Sequence, residues 1–431
     1  MILTLPRKHR ITAENNFFIP VISFSVNPYH NDKVIPVFSR NTNLLYLSKK
    51  QLVKKILLCL LLLSAFSAFA QNTSGHLRIS LLTGAPGEEL YSTFGHTALR
   101  IYDSSRQTDI VYNYGTFDFS DPDFYLKFTR GKLDYFLSVS SLSDFMYEFQ
   151  VEHRDVTEQV LALSDSSKAA IQKALNTNLA GPERFYKYDF LYNNCTTRVR
   201  DLLLKYGGLK AEKAMVPPHT SFRNMLHEYL DKGNESWSKL GIDLLLGSPI
   251  DKEVTPVTAM FLPDYLMKGA DSSVSTNTPG LVQEKQVMHL GSASGVPFQN
   301  KPLYLFSIVA VLMIFISAKD NPVANFITRC MDSLLLGITG LLGLLLLFMW
   351  FGTDHKACAA NYNLLWALPT HLMAAFAIWK KPKWLKNYFS ITGIILLLTL
   401  VLWPWLPQQL NTGLIPILLW LLIRSVHYVK K

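Results

Sequence analysis

The sequence predicts an α+β domain followed by an all-α membrane domain of five transmembrane helices. Three observations carry that expectation. Strand-like and helical stretches are mixed between residues 71 and 270, five hydrophobic blocks follow residue 302, and the charge is unevenly divided along the 431 residues. Residues 1–55 hold nine Lys/Arg and two Asp/Glu (net +7), residues 301–431 hold eleven and three (net +8), and the stretch between them holds 22 and 27 (net −5). The overall +10 therefore describes a leader and the edges of a membrane domain, not a basic surface. That distribution argues against nucleic acid as a partner.

Residues 1–48 are longer than a usual n-region and show no sustained periodicity, so an upstream misassigned start stands beside a functional extension. Residues 49–70 have the layout of a secretory signal. Lys49, Lys50, Lys54 and Lys55 precede the uncharged run ILLCLLLLSAFSAFA, which ends on the small-residue pattern Ala68-Phe69-Ala70 and predicts cleavage before Gln71. The alternative, a retained anchor, has an apolar core shorter than the roughly 20 residues a span needs. Cys59 lies too near the lysines, with no small residue before it, to be a lipidation site.

Within the exported domain, residues 71–270, the stretches HLRISLLTG, TALRIYD, DIVYNYGTF, KLDYFLSVSS and RDVTEQVLAL are β-branched, aromatic and partly alternating, as strands require. Helices are expected at Leu142 to Glu152, Ser164 to Leu179, Cys195 to Tyr206, Phe222 to Leu230 and Pro256 to Lys268. About 200 residues suffice to bury a core without disulfides. The absence of a Gly-rich phosphate loop, paired-Cys zinc spacing and a G-x-S-x-G elbow leaves nucleotide and zinc chemistry without support, and no metal or cofactor is expected.

A polar linker, 271–302, leads to the membrane domain, 303–431. Its blocks run from Leu303 to Ser317, Met331 to Gly352, Leu364 to Trp379, Phe389 to Leu406 and Leu414 to Tyr428. If all five span, Lys319 with Arg329, the cluster Lys380, Lys381, Lys383 and Lys386, and the tail Arg424, Lys430 and Lys431 share one side, which the positive-inside tendency assigns to the cytoplasm. The alternating topology then puts residues 71–300 outside, in agreement with the signal. The expected topology is multi-pass, with the exported domain on the outer side of the membrane.

Chemistry concentrates in FGHTALRI, carrying His96, and YNNCTTRVRDLL, carrying Cys195. Cys195 is the only cysteine between residues 71 and 300, so it has no disulfide partner within its domain. Asn193 and Asn194 are good N-cap residues, Val199, Leu202 and Leu203 supply an apolar face, and Gly207-Gly208 a left-handed stop, so Cys195 is placed at a helix N-terminus. There the dipole and free N–H groups favour a thiolate over the roughly 8.5 pKa of an isolated thiol and offer donors to an oxyanion. His96, beside Gly95 at a strand entrance, is the best base. His153 and His227 lie among charges expected to face solvent, and His219 follows two prolines. Asn113 is favoured as the group orienting His96, with Tyr112, Tyr114 and Asp118 as rivals. In the membrane domain, the external loop between the second and third blocks holds Asp354, His355, Lys356, Cys358, Asn361 and Asn363. Either it is solvated, or Asp354, His355, Asn361 and Asn363 form a headgroup or acceptor site facing the thiol. A Cys195–Cys358 disulfide is the reading that would exclude a catalytic thiol.

The phrases YSTFGHTALRIYD, YNYGTFDF, FLYNNCTTRVRD and FGTDH followed by NYNLLWALPTH resemble the Lnb-type lipoprotein N-acyltransferase family over nearly everything from Gln71 to the end. The His strand precedes the Cys helix, the reverse of papain, so the domain resembles the circularly permuted papain-like folds that include lecithin:retinol acyltransferase-like enzymes. The resemblance implies that His96 and Cys195 are base and nucleophile of a ping-pong acyl transfer. The donor would be a membrane phospholipid and the acceptor the α-amino group of the N-terminal diacylglyceryl-cysteine of a lipoprotein. A membrane-tethered cysteine peptidase or cell-wall amidase, and a non-catalytic envelope binding or assembly module, are the alternatives. The leader before Lys49 departs from the family.

Overall fold

The computed structural model describes residues 75–430 apart from 90, 274–279, 292–296 and 320, so the expected leader, signal and cleavage site lie outside the described residues. All described residues belong to the unit Asn72–Lys431. Seven antiparallel strands form one sheet in the order β6-β4-β3-β2-β1-β5-β7. They are β1 (Leu77–Gly84), β2 (His96–Asp103), β3 (Thr108–Thr116), β4 (Asp134–Ser141), β5 (Val156–Leu161), β6 (Phe185–Lys187) and β7 (Val282–His289). All five strand-like stretches form strands. β6 and β7 are additional, and β7 falls inside the polar stretch expected to be linker, where it pairs with β5.

The period-two alternation gives the sheet two apolar faces. On one, Ile79, Leu81, Leu99, Ile101, Tyr112 and Tyr114 pack against α3 (Asp165–Ala180), α4 (Cys195–Leu202) and α8 (Pro263–Ser272). On the other, Leu82, Ala98 and Val111 meet Phe145, Met146 and Phe149 of α2 (Leu142–Val151). A six-residue helix, α1 (Phe124–Thr129), lies between β3 and β4. The helix expected over Cys195 to Tyr206 keeps α geometry to Leu202, passes through a π turn at Leu203–Gly207 and stops at Gly208, with φ +72°. The single helix expected from Pro256 to Lys268 is instead two, α7 (Pro256–Ala259) and α8, because Leu262 precedes Pro263 and is extended.

Two further helices, α5 (Phe222–Lys232) and α6 (Ser236–Leu245), join the sheet domain to the membrane domain. Leu240 of α6 packs within the membrane-domain cluster, and Trp237 stacks edge-on against Phe306 at 5.9 Å. The hydrophobic blocks carry α9 (Lys301–Ser317), α10 (Pro322–Phe351), α11 (His371–Lys380), α12 (Trp384–Val401) and α13 (Ile415–Lys430). Three helices among the described residues are long and apolar enough to cross a membrane: α10, α12 and the helix of 412–430 that contains α13. The ten residues of α11 rise only about 15 Å. The third block is not one helix, since 3-10 geometry at Tyr362–Leu365 and a turn through Pro369 precede α11.

Candidate active site

Cys195 is the first residue of α4, and the preceding loop is built to hold it there. Asp189 Oδ1 accepts from the Leu191 and Tyr192 N–H groups at 2.9 and 3.0 Å. Asn194 and Thr197 form a reciprocal capping box, each bond 2.8 Å, while Asn194 Nδ2 donates to the carbonyls of Phe190 and Phe261 at 2.8 and 2.9 Å. The cap residue is thus pinned on three sides, and with it the direction in which the thiol points.

β2 begins on His96, opposite Gly84 in the β1 register. Asn113, on β3, accepts from the ring through its Oδ1, 2.7 Å from His96 Nε2. Since oxygen only accepts, Nε2 carries the proton and Nδ1 is left for Cys195, with which His96 is hydrogen-bonded. β3 bulges between Asn113 and Thr116, and Gly115 sits in that bulge at φ +92°. A Cβ on Gly115 would stand 3.4 Å from the Cys195 Cβ, so glycine serves both the backbone angle and the approach of the thiol. Thr97 Oγ1 and Thr196 Oγ1, 3.0 Å apart, tie β2 to α4 beside the pair.

Burial works against the Cys195 thiolate, but the charge and hydrogen bond of His96, the Thr196 hydroxyl and the Thr97 N–H outweigh it and bring the pKa down to about 7. Burial likewise opposes the His96 imidazolium, and Cys195, Asn113 and the more distant Glu148 overcome it, raising its pKa. Each partner favours the charged form of the other, the arrangement of a thiolate–imidazolium pair. Donors at the start of α4 and the dipole behind them face the same point.

Tyr188 was not singled out from sequence. Its phenol is hydrogen-bonded to Cys195, and burial followed by the thiolate charge pushes its pKa well up, so it stays a neutral donor. The signal available was the i, i+2 relation of Tyr186 and Tyr188, which puts both on one side of an extended segment ending at the Cys195 loop. The rivals of Asn113 are engaged elsewhere: Tyr112 donates to Asn176 at 2.9 Å, the Tyr114 ring lies under Arg198 at 5.8 Å, and Asp118 accepts from Ser120.

The polar loop of the membrane domain divides. Asp354 N donates to the Arg130 carbonyl at 2.9 Å and His355 Nε2 lies 3.0 Å from the Phe128 carbonyl, so both abut α1. Asn361 and Asn363, expected at a substrate site, are corrected to structural groups. Both are buried, and their amides donate to the carbonyls of Asp243, Leu244 and Leu245 at the end of α6. Asn363 Oδ1 also accepts from Trp366 Nε1 at 3.0 Å, and Asn361 Oδ1 from the Asn363 N–H. Helix-terminal carbonyls need such donors, and none remains for a ligand. The disulfide alternative also falls: Cys195 and Cys358 are both free, and burial pushes the Cys358 thiol up to about 11. His227, expected to face solvent, instead lies 2.8 Å from Asp243, whereas His219 is exposed beside Glu253. Among the described residues no group of three or more His, Cys, Asp or Glu is placed to hold a metal ion.

Fold and site together define a mixed α/β domain bearing a Cys-His-Asn constellation, joined to a helical membrane domain. A family model described as the Lnb N-terminal periplasmic domain matches residues 66–228, and one described as the Lnb transmembrane domain matches residues 294–431. The two matches, in this order, support the assignment of the chain as an Lnb-family protein, a membrane protein with a periplasmic domain. Comparison with curated proteins and with solved structures gives no match.

Proposed function

We propose that this protein is an apolipoprotein N-acyltransferase of the bacterial inner membrane, with a permuted papain-like thiol domain in the periplasm and five spans. The observation that carries the proposal is the placement of Cys195 at the capped start of α4 beside His96, whose ring is held by Asn113 across 2.7 Å, in a domain fixed to membrane helices. Cys195 Sγ attacks the ester carbonyl carbon of a membrane phospholipid. The tetrahedral oxyanion is met by N–H groups of the first turn of α4. The carbon–oxygen bond to glycerol breaks, the imidazolium of His96 protonates the departing alkoxide, and a lysophospholipid leaves behind an acyl thioester. The α-amino group of a lipoprotein diacylglyceryl-cysteine then attacks the thioester and gives its proton to His96. The carbon–sulfur bond breaks, the amide forms and the thiolate returns.

Asn113 acts as a positioning residue, holding the ring so that Nδ1 faces sulfur. Tyr188 donates to the thiolate in the resting state. Membrane attachment supports a transferase whose two substrates are bilayer-held, because confinement raises their effective concentration.

Incubation of the full-length protein with phospholipid and no acceptor is expected to load an acyl group on Cys195 as a hydroxylamine-sensitive thioester, seen by mass spectrometry, and Cys195→Ala to abolish it. Absence of any adduct, together with cleavage of peptides or cell-wall stems, would instead establish the tethered amidase.

A further inference from the structure

α1 and the loop before it form an exposed patch of large apolar side chains. Phe119 is 71 % exposed, Tyr125 80 %, Leu126 59 % and Phe128 51 %, while Phe124 anchors the helix from below at 8 %. Isolated exposed apolar residues need no explanation, but four on one short segment mark a contact surface. What covers them follows from their neighbour. The carbonyls of Phe128 and Arg130 are hydrogen-bonded to His355 and Asp354, and the absent Cβ of Gly131, with φ +68°, would lie 3.3 Å from the Asp354 carbonyl carbon. Asp354 is three residues beyond Phe351, the last residue of α10, whose ring is 72 % exposed and stacked on Trp350 at 4.7 Å. The patch is therefore continuous with the lipid-facing end of a membrane-crossing helix. The aromatic residues and the exposed Arg130 and Lys132 suit the interfacial zone, where rings sit at headgroup depth and long cations reach phosphates.

From this patch a ladder of rings runs inward to the thiol. Phe119 and Phe124 both touch Phe117, at 4.7 and 5.7 Å between centroids. Phe117 meets Tyr135 at 5.3 Å, Tyr135 meets Tyr188 at 4.4 Å, and Tyr188 is hydrogen-bonded to Cys195. A run of rings that leads from an apolar patch to a phenol beside a nucleophile matches one ligand chemistry, an alkyl chain ending in an ester.

We infer that α1 and its preceding loop insert into the outer leaflet of the bilayer, and that the ring ladder from Phe119 to Tyr188 guides the ester-linked acyl chain of a membrane phospholipid to Cys195. The acyl-guiding half rests on the transferase reading; the insertion half does not. The chain lies along the rings, its carbonyl carbon comes level with Tyr188, and the headgroup stays at the interface near Arg130. This assigns donor recognition to α1 and not to the buried amides of Asn361 and Asn363.

The two halves are tested separately on the full-length protein. A nitroxide is placed at Tyr125→Cys, and as a control at the exposed, polar Lys173→Cys of α3, in a Cys195→Ser, Cys330→Ser background reconstituted in phosphatidylethanolamine–phosphatidylglycerol vesicles. Power saturation is expected to show position 125 more accessible to oxygen than to a water-soluble nickel chelate, and position 173 the reverse. Equal chelate accessibility at both positions overturns insertion, whether or not the protein acylates anything. For the ladder, Phe117→Ala, which leaves the exposed Phe119, Tyr125, Leu126 and Phe128 in place, is expected to slow phospholipid loading of Cys195 at least about tenfold while iodoacetamide still alkylates Cys195 at the wild-type rate. Wild-type loading in that variant overturns the ladder.

Discussion

Two half-buried histidines, His96 and His227, lie beside acids or latent acids, and the two sites differ in how many hydrogen-bonding valences are filled. At the junction between sheet and membrane domains, Asp243 Oδ1 accepts from Arg223 at 2.7 Å and lies 2.8 Å from His227 Nε2, while its Oδ2 accepts from Asn411 at 2.8 Å. Arg223, fully buried, also donates to Asp251 and to the carbonyls of Leu246 and Gly247. Burial opposes the Asp243 carboxylate, but His227, Arg223 and Asn411 prevail and lower its pKa. Every group there has a fixed partner from another element, so the cluster locks α5 and α6 to the loops at 361–363 and 408–411. At Cys195 the partners instead stabilise a soft nucleophile that no side chain neutralises by covalent or bidentate contact. Burial of a charged pair is common to both; only the thiol site retains an atom able to form a new bond. Perturbed ionisation by itself therefore does not separate catalysis from architecture.

The largest effect that would break this contrast is at the junction. Arg223→Ala leaves a buried carboxylate without its permanently charged partner and is expected to cost about 3–5 kcal/mol, read as lost hydrogen-exchange protection of the α5 and α6 amides in nanodiscs. Unchanged protection would mean that Arg223 and Asp243 do not hold the domains together.

Next is the positioning role. Asn113→Ala is expected to slow acyl loading of Cys195 about a hundredfold, the scale of a small misplacement of a catalytic group, with exchange protection at α5 and α6 retained. Loading at the wild-type rate would reduce Asn113 to a bystander of the fold.

The smallest concerns ionisation. Because the Cys195 pKa is lowered to about 7, alkylation by iodoacetamide is expected to reach half its plateau near pH 7 and fall as the pH drops below that value. His96→Ala removes the cation that lowers it, so the midpoint moves up towards the roughly 8.5 of a free thiol, or higher because burial remains. The rate at pH 7 then drops about tenfold or more. An unmoved midpoint would show that the helix end alone ionises the thiol.

The strands were legible because alternation is local, and Cys195, His96 and Asn113 were legible because capping residues, a strand entrance and the next strand place them without long-range information. β7 escaped because QEKQ gives an exposed edge strand the composition of a linker; only its pairing with β5 declares it. The break before Pro263 was in the sequence, because the residue before a proline avoids helical geometry, yet the helix expected from Pro256 to Lys268 ran through it. Asn361 and Asn363 were misplaced for a physical reason: a polar side chain near a membrane surface has the same composition signal whether it awaits a headgroup or caps the carbonyls of another helix. Tyr188 reaches the thiol through a turn whose direction depends on Asp189 and Asn194, which no single-residue pattern specifies.

β7 completes the sheet on the β5 edge, and its end is pinned where the Gly291 N–H donates to the Asp155 carboxylate. It is also the last strand before α9, the first helix of the membrane domain. During translocation, β1 to β6 emerge with the β5 edge open, an unpaired ladder of the kind that recruits foreign strands. That edge closes only once residues 282–289 have emerged, immediately before the chain enters the membrane domain at α9. The order of synthesis thus makes sheet closure the final soluble event of biogenesis, so a stall ahead of β7 leaves an aggregation-prone intermediate, whereas a stall after it leaves a finished sheet.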